Sequence, residues 1–223
     1  MIIKELSRDQ RKLIEEYTNQ EMTVEIGHDT MHALRACNWA LKIAKGEKFN
    51  RLDMVEVAAL LHDVGLKEVI DRREHGRAGA KKAIQFLKEQ RMFTGKEREE
   101  IGYAIQLHNS NKKGKSLLAD ILRDADIMEL MGAVGIMRGI AAHHAKPFYN
   151  PNNVKGELWE ASAKVFDERI RTGKGKGNTI VDSLNFHISC FENIGTKTGE
   201  KLAKPLTDYV RGFILELEKE VKK

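Results

Sequence analysis

Val57-Ala-Ala-Leu-Leu-His-Asp-Val-Gly65 decides the reading of this chain. Val55, Ala58 and Ala59 precede His62 by seven, four and three residues, the spacing of one helical face, so the imidazole emerges from an apolar side. Asp63 follows at once, and Gly65 suits a helix stop. An unpaired buried carboxylate costs several kcal/mol or gives up its charge, so Asp63 in this setting calls for a cation nearby.

Two other apolar helices offer co-ligands. In Asp29-Thr-Met-His-Ala-Leu-Arg-Ala-Cys-Asn-Trp-Ala-Leu-Lys-Ile-Ala44, His32 shares a face with Ala36, Ala40 and Ile43. In Leu118-Ala-Asp-Ile-Leu-Arg-Asp-Ala-Asp-Ile-Met-Glu-Leu130, Asp126 lies among Leu122, Leu130 and Ala133 at helical spacing. Two histidines and two carboxylates thus face a common interior. Taken alone, His62-Asp63 reads equally well as a core histidine with an orienting hydrogen bond; His32 and Asp126 in register shift the weight to a metal site.

With these residues the chain resembles the HD-domain phosphohydrolase superfamily, whose metal motif is a His, a His-Asp doublet and a distant Asp, each on its own helix. The resemblance extends to Asp29-Thr-Met-His32-Ala-Leu-Arg35, to His75 followed by Gly79-Ala80, to Ile105-Gln-Leu-His108, and to Asp124-Ala-Asp126 continuing through Gly132 to Arg138. It covers roughly residues 26 to 140 and points to a compact bacterial and archaeal branch. It implies an all-α HD-domain helical bundle with extra N- and C-terminal helices, and the metal ligands His32, His62, Asp63 and Asp126. It also implies that Asp29 holds a ligand imidazole in one tautomer, and it passes over His28 as a decoy. Asp63, His75 and His108 become the catalytic candidates. In two-metal relatives the extra histidines bind a second ion, and in single-metal relatives they contact substrate or shuttle protons. Asn109 and Ser110 stand where two-metal relatives often carry another His, which favours one ion. His75 also has a plainer reading, as part of a solvated polar turn in Asp71-Arg-Arg-Glu-His-Gly-Arg77.

Four protein ligands on an ion that accepts six leave room for a water and a phosphate oxygen. Such an ion brings the water's pKa from about 15.7 toward neutral and polarises a phosphoryl group, so hydrolysis of a phosphate ester or anhydride is the expected reaction. Nitrogen and oxygen ligands without thiolate suit Mn, Fe, Co, Ni, Zn or Mg. Phosphate needs positive charge: Arg35 and Arg138 are the first candidates for substrate binding, with Lys67 and Arg72 next, each with a structural ion pair as its alternative.

With 223 residues, 41% of them hydrophobic, the chain is read as one HD-type domain over 1–223, its core near 26–142 and a C-terminal helical completion near 156–223. Helices are predicted near 4–20, 28–46, 52–64, 75–91, 96–108, 116–142, 179–193 and 202–221. Ala145 to Lys155 reads as a loop, and Gly173-Lys-Gly-Lys-Gly177 as a mobile basic loop that helps hold a polyanion. The stripe Leu206, Val210, Phe213, Ile214, Leu217 and Val221 is core packing or, alternatively, a homodimer seam. Cys37 and Cys190 lack CxxC spacing and suit small core positions in a reducing cytoplasm; no leader or membrane-spanning run is read.

The leading expectation is a metal-dependent phosphohydrolase acting on a nucleotide or other small phosphorylated substrate. Within it, the branch resembled suggests nucleoside triphosphate pyrophosphohydrolysis. Leu66 stands where monophosphate-directed relatives usually carry Glu, and the Gly-Tyr-Pro signature of cyclic dinucleotide phosphodiesterases is absent. A nucleic-acid binder or nuclease is the alternative raised by pI ≈ 9.1, weakened by 38 basic against 33 acidic residues and 6% aromatics. A non-catalytic metal or nucleotide-binding regulator is the third reading.

Overall fold

The computed structural model describes residues 3–23, 27–110 and 116–222. Among them no strand forms; helices carry the fold, with two isolated backbone bridges, Lys4 to Arg51 and Asn150 to Asn153. The all-α expectation holds. No described helix is long and apolar enough to cross a membrane. Contacts fall into two compact units, Met1–Asp126 with Gly195–Gly199, and Ile127–Ile194 with Glu200–Lys223.

The first unit is built on α1 (Arg8–Glu21), α2 (Thr30–Gly46), α3 (Leu52–Leu61), α4 (His75–Glu89) and α5 (Gly95–Leu107), with the start of α6 (Leu117–Met128). All ten residues of α3 are buried, and α1, α2 and α5 pack against it. A helix apolar all round must lie inside, and burying each Leu or Val there contributes about 1.5–3 kcal/mol. Its two acids are answered: Arg51 Nη2 donates to Asp53 at 2.9 Å and Arg11 Nη1 to Glu56 at 3.0 Å. The helix stops at Leu61, earlier than the predicted 64, so His62 is its C-cap and Asp63 lies in the following turn. Gly65 has φ −88°, an ordinary right-handed value. A β-carbon there would lie 2.2 Å from the Gly79 nitrogen and 2.4 Å from the His75 carbonyl oxygen, so glycine serves a close approach to α4.

Late in the chain, Gly195 and Thr196 return to this unit. Asp124 on α6, fully buried, accepts the Gly195 and Thr196 backbone N–H groups at 2.8 Å each and the Thr196 hydroxyl at 2.7 Å. The same hydroxyl accepts the Gly199 N–H at 2.9 Å, capping α10 (Lys197–Val221) five residues before the predicted start.

The second unit contains α7 (Gly132–Ala142), α8 (Ala163–Arg171), α9 (Ile180–Ser189) and most of α10. Its core joins Ile136, Val181, Leu184, Ile188, Val210 and Ile214. The predicted continuous helix over 116–142 breaks in two. Leu130 and Met131 donate to carbonyls three residues back, Met131 is extended, and Gly132 takes φ +65°. Gly135 makes the break tight, since a β-carbon there would lie 2.1 Å from the Leu130 oxygen. The sequence reading also lacked α8, whose fully buried Phe166 meets Phe186 edge to face at 5.5 Å. Residues 145–155 are the predicted loop.

Candidate metal centre

Helix ends deliver most of this site. His32 is in the first turn of α2, His62 caps the C-terminus of α3, His75 opens α4, His108 caps α5, and Asp126 sits within α6. His32, His62 and Asp63 are at most 1% exposed, His75 is 8% and His108 3%. The Asp126 side chain keeps 28% exposure and lies at the accessible edge of the cluster.

Asp63 is the hub. On its Oδ2 side lie His28 Nδ1 at 2.9 Å, His62 Nε2 at 3.4 Å and His32 Nε2 at 3.5 Å. On its Oδ1 side lie His75 Nε2 at 3.1 Å and His108 Nε2 at 3.4 Å. Asp126 Oδ1 is 3.3 Å from His32 Nε2 and 3.8 Å from His62 Nε2. Three overlapping sets have ligand atoms mutually within 4.8 Å: His28, His32 and Asp63; His32, His62 and Asp126; His62, Asp63 and His108.

The outer ring nitrogens fix the tautomers. His62 Nδ1 donates to the Ala59 carbonyl at 2.8 Å, His108 Nδ1 to the Ile105 carbonyl at 2.6 Å, and His75 Nδ1 to the Arg72 carbonyl. A carbonyl only accepts, so Nδ1 of His62 and of His108 carries the proton and their Nε2 atoms turn inward. Yet His75 and His108 Nε2 are 2.9 Å apart, and His32 and His62 Nε2 3.1 Å. Two ring nitrogens at that distance need a proton or a metal ion between them. Nitrogen and carboxylate donors without sulfur, anchored by a second ring of backbone acceptors, fit a divalent first-row metal.

Electrostatics agree with that demand. Burial works to raise the Asp63 carboxyl, but adjacent His62 and hydrogen bonds from His108, His28 and His32 hold it well below the usual carboxylate range. Burial likewise opposes the Asp126 charge, and the hydrogen bond from His32 with the neighbouring imidazole charges brings it down too. Both acids are thus ready as anionic ligands.

The structure brings together His32, His62, Asp63, Asp126, His75 and His108. Arg35 follows His32 by three residues on α2 and is half-buried. Lys67 Nζ donates to the Gln20 carbonyl at 2.9 Å. Arg72 is exposed and gives the cluster its backbone carbonyl, the acceptor for His75. Arg138 belongs to the second unit, where its Nη1 donates to the Glu129 carbonyl at 2.9 Å.

Two readings change. Asp29 accepts the His32 backbone N–H at 2.8 Å and N-caps α2, so it serves the helix rather than an imidazole. His28 joins the cluster through Asp63; it precedes α2, so no helical spacing pointed to it.

Residues 30–131 match the HD domain family. The uncharacterized protein YpgQ of Bacillus subtilis is 26% identical over 204 residues, covering 87% of this chain and 85% of its own. The crystal structure of an HD-superfamily hydrolase from Bacillus thuringiensis is similar with a TM-score of 0.67 at 23% identity, covering 96% of this chain and 97% of the other. The structure of Bacillus subtilis YpgQ in complex with ADP is similar with a TM-score of 0.65 at 21% identity, covering 95% of each. At these identities the structural likeness is one of fold.

Proposed function

We propose that this chain, whose residues 30–131 match the HD domain family, is a metal-dependent phosphohydrolase with a nucleotide substrate. The observation that carries the reading is the convergence of inward Nε2 atoms on two carboxylates whose charge is already secured. ADP bound to YpgQ, a protein of the same fold, supports a nucleotide over other phosphate compounds.

His32, His62, Asp63 and Asp126 would hold a divalent ion, with Mn, Fe, Co, Ni, Zn and Mg all compatible with the donors. When bound, that ion supplies Lewis acidity toward a phosphoryl oxygen and makes a water acidic enough to attack near neutral pH. The chain's own residues do the rest. Asp63, anchored from both oxygens, fixes the spacing of the two histidine groups. The Ala59, Arg72 and Ile105 carbonyls keep His62, His75 and His108 from rotating, which lowers the reorganisation needed when substrate arrives. His75, whose side chain is 10% exposed against 1% for His108, is placed to hold or pass a proton at Nε2 between Asp63 and the entering phosphate. Arg35 is assigned to the phosphates from its place one turn after His32. A single ion is the simpler loading, although His75 and His108 on Oδ1 form a bay of their own.

The test is product release from nucleoside mono-, di- and triphosphates with Mn²⁺, scoring pyrophosphate and orthophosphate separately. Pyrophosphate from triphosphates, absent with Asp63→Ala, is the expected result. Orthophosphate alone would redirect the reading to a phosphatase, and silence with every metal above would remove the nucleotide.

A further inference from the structure

The second unit gathers basic side chains that no described carboxylate answers. Lys146 Nζ donates to the Gly177 carbonyl at 2.9 Å and is thereby tied to the Gly173-Lys-Gly-Lys-Gly177 loop. In that loop Gly173, Gly175 and Gly177 take φ +77°, +64° and +108°, left-handed values that glycine adopts without strain. The turns fold Lys176 back until its Nζ lies 3.8 Å from the centre of the Phe186 ring. His187, next on α9, faces α7 across Gly139, where a β-carbon would lie 3.1 Å from its Cε1 and 3.7 Å from its Nδ1. One turn beyond Gly139, His143 closes α7 and is half-buried.

These groups repel one another. Burial, then the charges of Lys146 and Lys176, disfavour a charged His143, and burial, then Lys176, Arg138 and His143, do the same to His187. Among the described residues no carboxylate forms an ion pair with His143, Lys146 or Lys176. Arg138 is turned to Glu129. Independently, His187 is 5% exposed, bonds the Leu130 backbone, and leaves its Nδ1 buried without a hydrogen-bond partner. Two ammonium groups beside a buried ring nitrogen that has no partner offer the charge and the hydrogen-bonding site that an anion-binding cradle requires.

We propose that His143, Lys146, Lys176 and His187 form a second binding site, specific for a phosphate-class oxyanion and separate in its residues from the metal centre. Ammonium groups act as point-charge donors to phosphate, and imidazole N–H groups add direction. With the His187 ring already engaged at Leu130, an anion draws a proton onto Nδ1, and the unmet acceptor becomes a donor. The phosphate is either free or carried by a nucleotide.

The experiment titrates inorganic phosphate, then AMP, into full-length protein stripped of metal and held in chelator, following the imidazole ¹⁵N resonances and calorimetric heat. The expected result is saturable binding in which His143 and His187 shift with one affinity, His187 Nδ1 moves toward the protonated position, and His32 and His62 stay in place. Lys176→Met and Lys146→Met should each weaken it by about tenfold or more. Tighter binding of AMP makes the nucleotide the source, and equal binding makes it free phosphate. Shifts that do not saturate, an unchanged affinity in both variants, or shifts confined to His32 and His62 would overturn the proposal.

Discussion

Buried histidines occur in both units and meet opposite surroundings. In the first, His28, His32, His62, His75 and His108 converge on Asp63 and Asp126, and the imidazoles press the carboxyls toward the charged form. In the second, His143 and His187 stand among Lys146, Lys176 and Arg138, and it is the imidazoles that are pressed toward neutrality. Burial alone therefore does not say what a histidine does. The sign of its neighbours decides whether the group suits a cation or an anion.

The largest effect should come from removing the hub. Asp63→Ala leaves five imidazoles without their anion, so metal content by elemental analysis should fall to background and turnover by about 10³-fold or more, roughly 4 kcal/mol of transition-state stabilisation. Helical circular dichroism should persist; full activity in this variant would break the comparison at its strongest point.

Next is acid sensitivity of the second unit. Burial first, and then the charges of Lys176, Arg138 and His143, push His187 from 6.5 down to about 3. Its folded pKa lies below the unfolded one, so its contribution is fully present above pH 6.5 and is lost as pH falls toward 3, by about 1.4 kcal/mol per pH unit. Denaturant titrations of His187→Gln in phosphate-free buffer should show a correspondingly flatter pH dependence across that window. An identical slope in the variant would mean that His187 takes up its proton without cost.

Chelation should act on the first unit alone. Metal at about 100 times its dissociation constant adds about 2.7 kcal/mol to the folded state, so EDTA should lower the thermal midpoint of the wild-type protein by several degrees. Asp126→Ala should show no such shift, and a shift of equal size there would remove Asp126 from the ligand set.

The smallest contrast compares helix caps. Thr94 and Glu97 cap α5 at the surface, while Thr179 and Asp182 cap α9 in a buried setting, with Thr179 Oγ1 donating to Asp182 at 2.9 Å. Thr179→Ala should cost about 2 kcal/mol and Thr94→Ala about 1 kcal/mol in urea unfolding. Equal costs would show that the buried cap gains nothing from its surroundings.

The first unit was the more readable in sequence. An apolar run as dense as Leu52–Leu61 has nowhere to go but inside, and helical spacing alone placed His32, His62 and Asp126 on inward faces. What escaped depends on the backbone. His28 enters from a turn that no periodicity describes, and the Nδ1 bonds to carbonyls three residues back exist because His62, His75 and His108 stand at helix ends. The second unit was harder. One helix was read over 116–142, yet the Leu130 carbonyl occupies the space a β-carbon at 135 would need. The short α8 is held by Phe166, a contact with α9 that no local pattern announces.

The strap on Asp124 separates the order in which the chain is made from the order in which its centre is finished. His32, His62, Asp63 and Asp126 have all left the ribosome well before Thr196, which lies 72 residues beyond Asp124. Until it arrives, the helix carrying Asp126 holds a buried acid with its three donors still unsynthesised. The ligands of the candidate metal centre are thus early in sequence, and the donors that satisfy the acid two residues before Asp126 come late.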